Sequence, residues 1–252
     1  ANAILSGLVG SEMCIRDRIM PLPKLAVPDY DCTLPVSGKK VSYRPFLVKE
    51  EKLLYLAMET QDEKEMGKAV KNILKACTNV KDVDKLATFE IEFLFLRIRA
   101  KAVAEVSEFK ITCPDDGKTQ VDVSLDLEEI EVTVPRKHKK ILDVGDDVKI
   151  EMKYPSLNAF IDQNMKNEPT MEDVFELSAS CIDKVYQGDE IYDSFTKKEA
   201  VEFIGDMNQD QFSKIQEFFE TMPKLEHTIT VKNPKTKKES EVKLEGLASF
   251  FA

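Results

Sequence analysis

Residues 34–60, LPVSGKKVSYRPFLVKEEKLLYLAMET, decide how this chain is read. Val36 and Val41 bracket Ser37-Gly38-Lys39-Lys40, a turn-forming run between two extended segments. Tyr30 to Leu34 and Lys40 to Tyr43 are therefore predicted as the arms of a hairpin. Arg44-Pro45-Phe46 ends the second arm, because a residue before proline is pushed out of the helical region. A helix is predicted from about Lys49 to Glu59. Leu53, Leu54, Leu56, Ala57 and Met58 are taken as its buried face, and Glu50, Glu51, Lys52 and Glu59 as its wet one.

On the N-terminal side, Leu8–Arg18 reads LVGSEMCIRDR, which matches one reading frame of a transposon-library sequencing adapter. Residues 1–19 are accordingly expected to be a non-native leader, with Met20 opening the protein. The rival reading, a targeting peptide, lacks a basic region ahead of Ala3-Ile4-Leu5, and Glu12, Arg16, Asp17 and Arg18 break any apolar run.

On the C-terminal side, Met66, Ala69, Val70, Ile73, Leu74 and Cys77 recur at helical spacing, so a second helix is predicted over 62–77. Residues 87–103 are apolar on most sides (Phe89, Ile91, Phe93, Leu94, Phe95, Leu96, Ile98), as befits a helix buried among several neighbours. The period then changes to two. Phe109 and Ile111, a turn at Cys113-Pro114-Asp115-Asp116-Gly117, and Val121, Val123 and Leu125 make a second hairpin with one wet face. Ile130, Val132 and Val134 suggest a third strand, Pro135 to Lys140 a basic loop, and Val144 to Met152 one further strand starting at Asp146-Asp147.

A helical region is predicted from Pro155, with Gly188 punctuating its first helix. Thr170-x-x-Asp173, Thr196-x-x-Glu199 and Asn208-x-x-Gln211 each place a capping side chain three residues before a reciprocating one. Phe212, Ile215, Phe218, Phe219 and Met222 face the last helix, Pro223 stops it, and a hairpin turning at Asn233-Pro234-Lys235-Thr236 follows. The reading is α+β: an N-terminal hairpin with helices (20–104), central antiparallel hairpins (105–154), and a C-terminal helical region closing on a hairpin (155–252).

Composition excludes more chemistry than it suggests. A net charge of −10 repels phosphate backbones, so nucleic acid is not an expected partner. No apolar run approaches the length of a membrane-spanning helix. The five cysteines include no CxxC pair, which suits free thiols in a reducing cytoplasm. Cys113-Pro114-Asp115-Asp116 lacks the ligands of a zinc knuckle, and Asp115-Asp116-Gly117 lacks the distant glutamate of a calcium loop, so no metal or cofactor is expected. The chain has two histidines, no GxSxG and no Gly-rich phosphate loop, so no catalytic residue is assigned and the protein is not read as an enzyme. A hydrolase is the enzymatic alternative, and the residues it needs are missing.

The opening block, FEIEFLFLRIRAKAV, ITCPDDGKTQVDVSLDLEEIEV and the closing EFFETMPKLEHTITVKNPKTKKESEVKLEGLASFF together resemble, in order and spacing, the baseplate hub family of T-even-type myoviruses. The resemblance implies a non-enzymatic structural or assembly component of a contractile-tail baseplate. It would be a hub subunit, or alternatively a transient assembly chaperone that is not retained in the virion. It implies baseplate hub and tail proteins as partners, a possible oligomer, and a site of action in the host cytoplasm during assembly or in the virion tail. Candidate partner contacts are Gly38 with Arg44 and Phe46 in the opening block, Arg136 and His138 in the basic loop, and the terminal Phe250 and Phe251, which either pack back on the core or dock on a partner.

Overall fold

The computed structural model describes residues 25–60, 63–156 and 170–246. The leader expected over 1–19 and the pair Phe250 and Phe251 lie outside the described residues. The architecture is α+β, with several small antiparallel sheets and helices packed beside them.

The opening hairpin forms as predicted. β1 (Tyr30–Thr33) pairs antiparallel with β2 (Lys40–Tyr43), Tyr30 opposite Tyr43 and Thr33 opposite Lys40. Gly38 sits in the turn at φ +65°, a left-handed conformation that L side chains rarely adopt. α1 (Val48–Thr60) and α2 (Glu63–Cys77) follow. α3 (Thr88–Ala102) is the central helix, with Ile91, Leu94, Leu96 and Ile98 wholly buried. Val103 caps it and is exposed. β3 (Val106–Thr112) and β4 (Gln120–Asp126) form the second hairpin. Alternation along β3 buries Ser107, Phe109 and Ile111 and leaves Val106 on the wet face. Arg97 on α3 donates to the Glu128 and Ile130 carbonyls, holding the connection to β5 (Val132–Thr133) against the helix.

Two expectations are corrected. The single strand over 144–152 is two strands, β6 (Ile141–Gly145) and β7 (Val148–Met152), paired antiparallel. Asp146-Asp147 is their tip, with φ at 53° and 62°. Two successive positive φ values match the right-handed twist of a tight hairpin, so the diaspartate reverses the chain where it was expected to start a strand. Nor is the region after Pro155 uniformly helical. α4 (Met171–Ser180), α5 (Lys197–Gly205) and α6 (Gln209–Thr221) are present, each opened by the capping box predicted for it. Between α4 and α5, however, run β8 (Ile182–Gln187) and β9 (Glu190–Tyr192), completing a four-stranded sheet in the order β6-β7-β8-β9. Gly188 turns β8 into β9 instead of ending a helix, and its N–H donates to the Asp147 carbonyl at the neighbouring tip.

The closing hairpin, β10 (Lys224–Lys232) with β11 (Glu239–Glu245), does not stay with the helices that precede it. Lys224 and Leu225 pair with Thr133 and Val132 of β5. The buried side chains fall into two clusters. One joins β1 to β5 and α2 and α3 with Leu225, Val231 and Leu244 of the closing hairpin. The other joins the four-stranded sheet to α4, α5 and α6. Residues 105–154 thus serve both clusters, and residues 155–252 do as well. In sequence, the second cluster is inserted between two paired strands of the first.

Candidate interaction surface

Arg44-Pro45-Phe46 is the joint between β2 and α1, and its chemistry centres on Glu50. Leu47 N–H donates to Glu50 Oε2 at 2.7 Å, and Arg44 Nη2 donates to Oε1 at 3.1 Å. Arg44 Nη1 also donates to the Pro45 carbonyl at 2.9 Å. Glu50 was expected on the wet face, yet it is only 5 % exposed. Burial alone would raise its pKa. The backbone bond from Leu47 and the Arg44 guanidinium outweigh that and hold the carboxyl below the usual glutamate range. Phe46 is buried, so the joint closes the first core. The hairpin tip is tied down as well: Ser37 N–H, next to Gly38, donates to Glu90 Oε1 at 3.0 Å, and Glu90 lies buried on α3.

With Glu50 turned inward, the apolar side chains of α1 turn outward. Leu54 is half-buried and Ala57 buried, but Leu53, Tyr55, Leu56 and Met58 are 44–60 % exposed. The expected buried face is therefore largely a surface face. The cause is that residues 53–58 are apolar without a break and so circle the helix, while its main neighbour is α2. A helix can bury only the stripe its neighbour covers. The one sign of this in the sequence is Glu50 itself, three residues after Leu47, where a carboxylate can reach back to cap the helix start.

The basic loop divides in two. Arg136, Lys137, Lys139 and Lys140 are exposed, with Lys140 Nζ 4.5 Å from the centre of the Tyr154 ring. His138 points inward. Nδ1 lies 3.1 Å from Thr221 Oγ1 and Nε2 3.0 Å from Tyr154 Oη. Thr221 donates its own hydroxyl proton to the Glu217 carbonyl, so it accepts from His138 Nδ1–H. Nε2 is then the acceptor for the Tyr154 hydroxyl, which fixes a neutral tautomer. Burial and the nearby Lys140 charge push the His138 pKa down, and burial raises that of Tyr154 to about 12.

A third feature lies on the second cluster. An apolar cleft of about 280 Å³ opens between β8 and α5, lined by Ile182, Val185, Tyr192, Phe195 and Phe203. The edge strand β9 beside it exposes Ile191 and Tyr192. Among the described residues, no group of three or more His, Cys, Asp or Glu side chains is placed to hold a metal ion. Asp115 and Asp116 commit their carboxylates to hydrogen bonds within the protein. Asp115 accepts from Asn233 Nδ2 at 2.8 Å and from the Thr236 hydroxyl, latching the tip of β3–β4 to the tip of β10–β11. Asp116 accepts from the Thr119 hydroxyl and from the Thr119 and Lys118 N–H groups. These bonds hold both carboxyls below the ordinary aspartate pKa.

The family model described as T4 bacteriophage base plate protein matches residues 27–252. This chain belongs to that family. Its curated relatives include a "Baseplate hub assembly protein gp26" of Enterobacteria phage T4, 24 % identical over 229 residues, covering 88 % of this chain and 98 % of the relative. No solved structure matches it. Among the described residues, no helix of this baseplate-family protein is long and apolar enough to cross a membrane.

Proposed function

We propose that this protein is a non-enzymatic component of the central hub of a contractile phage-tail baseplate, acting through surfaces offered to other hub and tail proteins. The observation that carries the reading is the family match along nearly the whole chain, joined to the exposed apolar side chains of α1. An interface with an apolar centre and a polar rim is what such a helix can supply. The basic loop at Arg136 and the terminal Phe250 and Phe251 are secondary contact candidates. A role in assembly without retention in the particle is the second reading, favoured by the name of the T4 relative. In either role the protein works in the host cytoplasm while tails are built.

Mass spectrometry of purified virions, paired with deletion of the gene, tests both readings. Peptides from 27–252 in mature particles support a retained subunit. Their absence, with baseplates failing to form in the deletion, supports a transient assembly role. Normal tails in the deletion would overturn both.

A further inference from the structure

The exposed side of α1 has an internal order. Helical spacing puts Glu50, Leu54 and Ala57 toward the core, and Lys52, Tyr55, Leu56 and Glu59 on the opposite side. Counting outward from the Tyr55–Leu56 peptide along the exposed residues, Leu53 answers Met58 and Lys52 answers Glu59. Apolar residues stand opposite apolar ones, and a base stands opposite an acid. Lys52 and Glu59 are about 10 Å apart along the helix axis, too far to pair within it. Among the described residues neither has an ion-pair partner, whereas nearby Lys49 pairs with Glu50.

We propose that this face is a self-association surface. A second copy of the chain docks α1 against α1, antiparallel, about a two-fold axis at the Tyr55–Leu56 peptide, with Lys52 of each copy opposite Glu59 of the other. An isologous contact needs one patch complementary to itself, and the charge order of α1 meets that condition. In a parallel pairing, Lys52 would face Lys52 and Glu59 would face Glu59, so the charges select the antiparallel arrangement. The apolar centre supplies the attraction and the charges set orientation and register. One short helix per copy makes a small interface, so a weak, concentration-dependent association is expected. The inference rests on the reading of α1 as a contact face and names its occupant as a second copy; a monomeric chain that still joins other hub proteins would overturn the pairing and leave that reading standing.

Sedimentation velocity on the full chain, from micromolar to several hundred micromolar, tests it. A monomer–dimer equilibrium that weakens with added salt is expected. Lys52→Glu and Glu59→Lys should each weaken association about ten-fold, since each sets like charges face to face twice in the dimer. Mixing the two single variants should restore association to near the parental strength, because each then supplies the charge the other lacks. Leu56→Arg should abolish it, with circular dichroism melting unchanged because the residue is on the surface. A chain that stays monomeric throughout would overturn the proposal, as would a dimer indifferent to the single swaps or a mixture no stronger than its components.

Discussion

Tyr154 stacks on Phe218 with ring centroids 5.7 Å apart and planes 18° from parallel. Phe218 is buried in the second cluster, and Tyr154 packs on both. Phe89, at the start of α3, meets Tyr154 with ring centroids 4.9 Å apart and planes 80° from parallel, and the Thr88 hydroxyl donates to the adjoining Pro155 carbonyl at 3.0 Å. The two cores therefore share one aromatic joint.

Loosening that joint should uncouple the cores as well as destabilise them. Phe218→Ala removes a buried ring and should cost about 3–5 kcal/mol. Tyr154→Phe keeps the stacking and loses one hydrogen bond, so about 1 kcal/mol is expected. Scanning calorimetry should resolve one transition in the parent and in Tyr154→Phe, and two in Tyr154→Ala. A single transition in Tyr154→Ala would show that the cores are coupled elsewhere.

His138 should make the fold acid-sensitive near neutrality. Its folded pKa lies below the ordinary 6.5, so between the two values the unfolded chain binds more protons. Stability is unaffected above about 6.5 and falls as pH drops from there toward the folded value. Urea titrations at pH 7.5 and 5.5 should show a lower midpoint at the acid pH. In His138→Gln that particular loss should be absent.

Glu50 works at lower pH and in the usual carboxylate sense. Its folded pKa is below the ordinary 4.5, so its stabilisation is full above that value and is lost as pH falls through the folded one. Glu50→Ala leaves the Leu47 N–H and Arg44 Nη2 without their acceptor and should cost about 2–3 kcal/mol at pH 7, read by urea denaturation. Loss of under about 0.5 kcal/mol would mean water replaces the carboxylate.

The Asp115 latch should be local. Asp115→Ala frees the two hairpin tips from each other while leaving both hairpins paired. Amide exchange should accelerate at Cys113 and Gly117 and at Asn233 and Lys237, whose N–H groups bond within those turns. Exchange in α3 should stay as in the parent.

The β6–β7 tip offers a stabilising change. Asp147 holds φ at 62° without being glycine. Asp147→Gly relieves that, and with Asp146 kept at the first position should stabilise the fold by about 0.5–1 kcal/mol in thermal melts.

Much of this fold could be read from local chemistry. The three capping boxes rest on side chains three residues apart, and Thr170, Thr196 and Asn208 each cap the predicted helix. The hairpins at Gly38, Gly117 and Asn233 carried turn residues between alternating arms. The misses had non-local causes. Ile182–Gln187 is a strand because β7, far upstream, accepts it as a neighbour, and the helix signals on either side masked it. Asp146-Asp147 lacks the Asn-Gly that marks a tight hairpin. The α1 face was misassigned because periodicity tells which residues are apolar, while burial depends on how many neighbours arrive. The engagement of His138 with Thr221 joins residues that no local pattern connects.

β5 finds its partner in β10 only after everything from 134 to 223 has been made. On the ribosome, the sheet, α4, α5 and α6 can therefore mature while the floor beneath α3 is still open, its Ile130 and Val132 awaiting Leu225 and Leu244. Such a nascent chain carries a finished half and an exposed apolar half at once, the state most exposed to aggregation and to chaperone capture. Completion of the first core is a single late event, set by arrival of the closing hairpin, and any truncation ahead of Lys224 would leave it permanently unsealed.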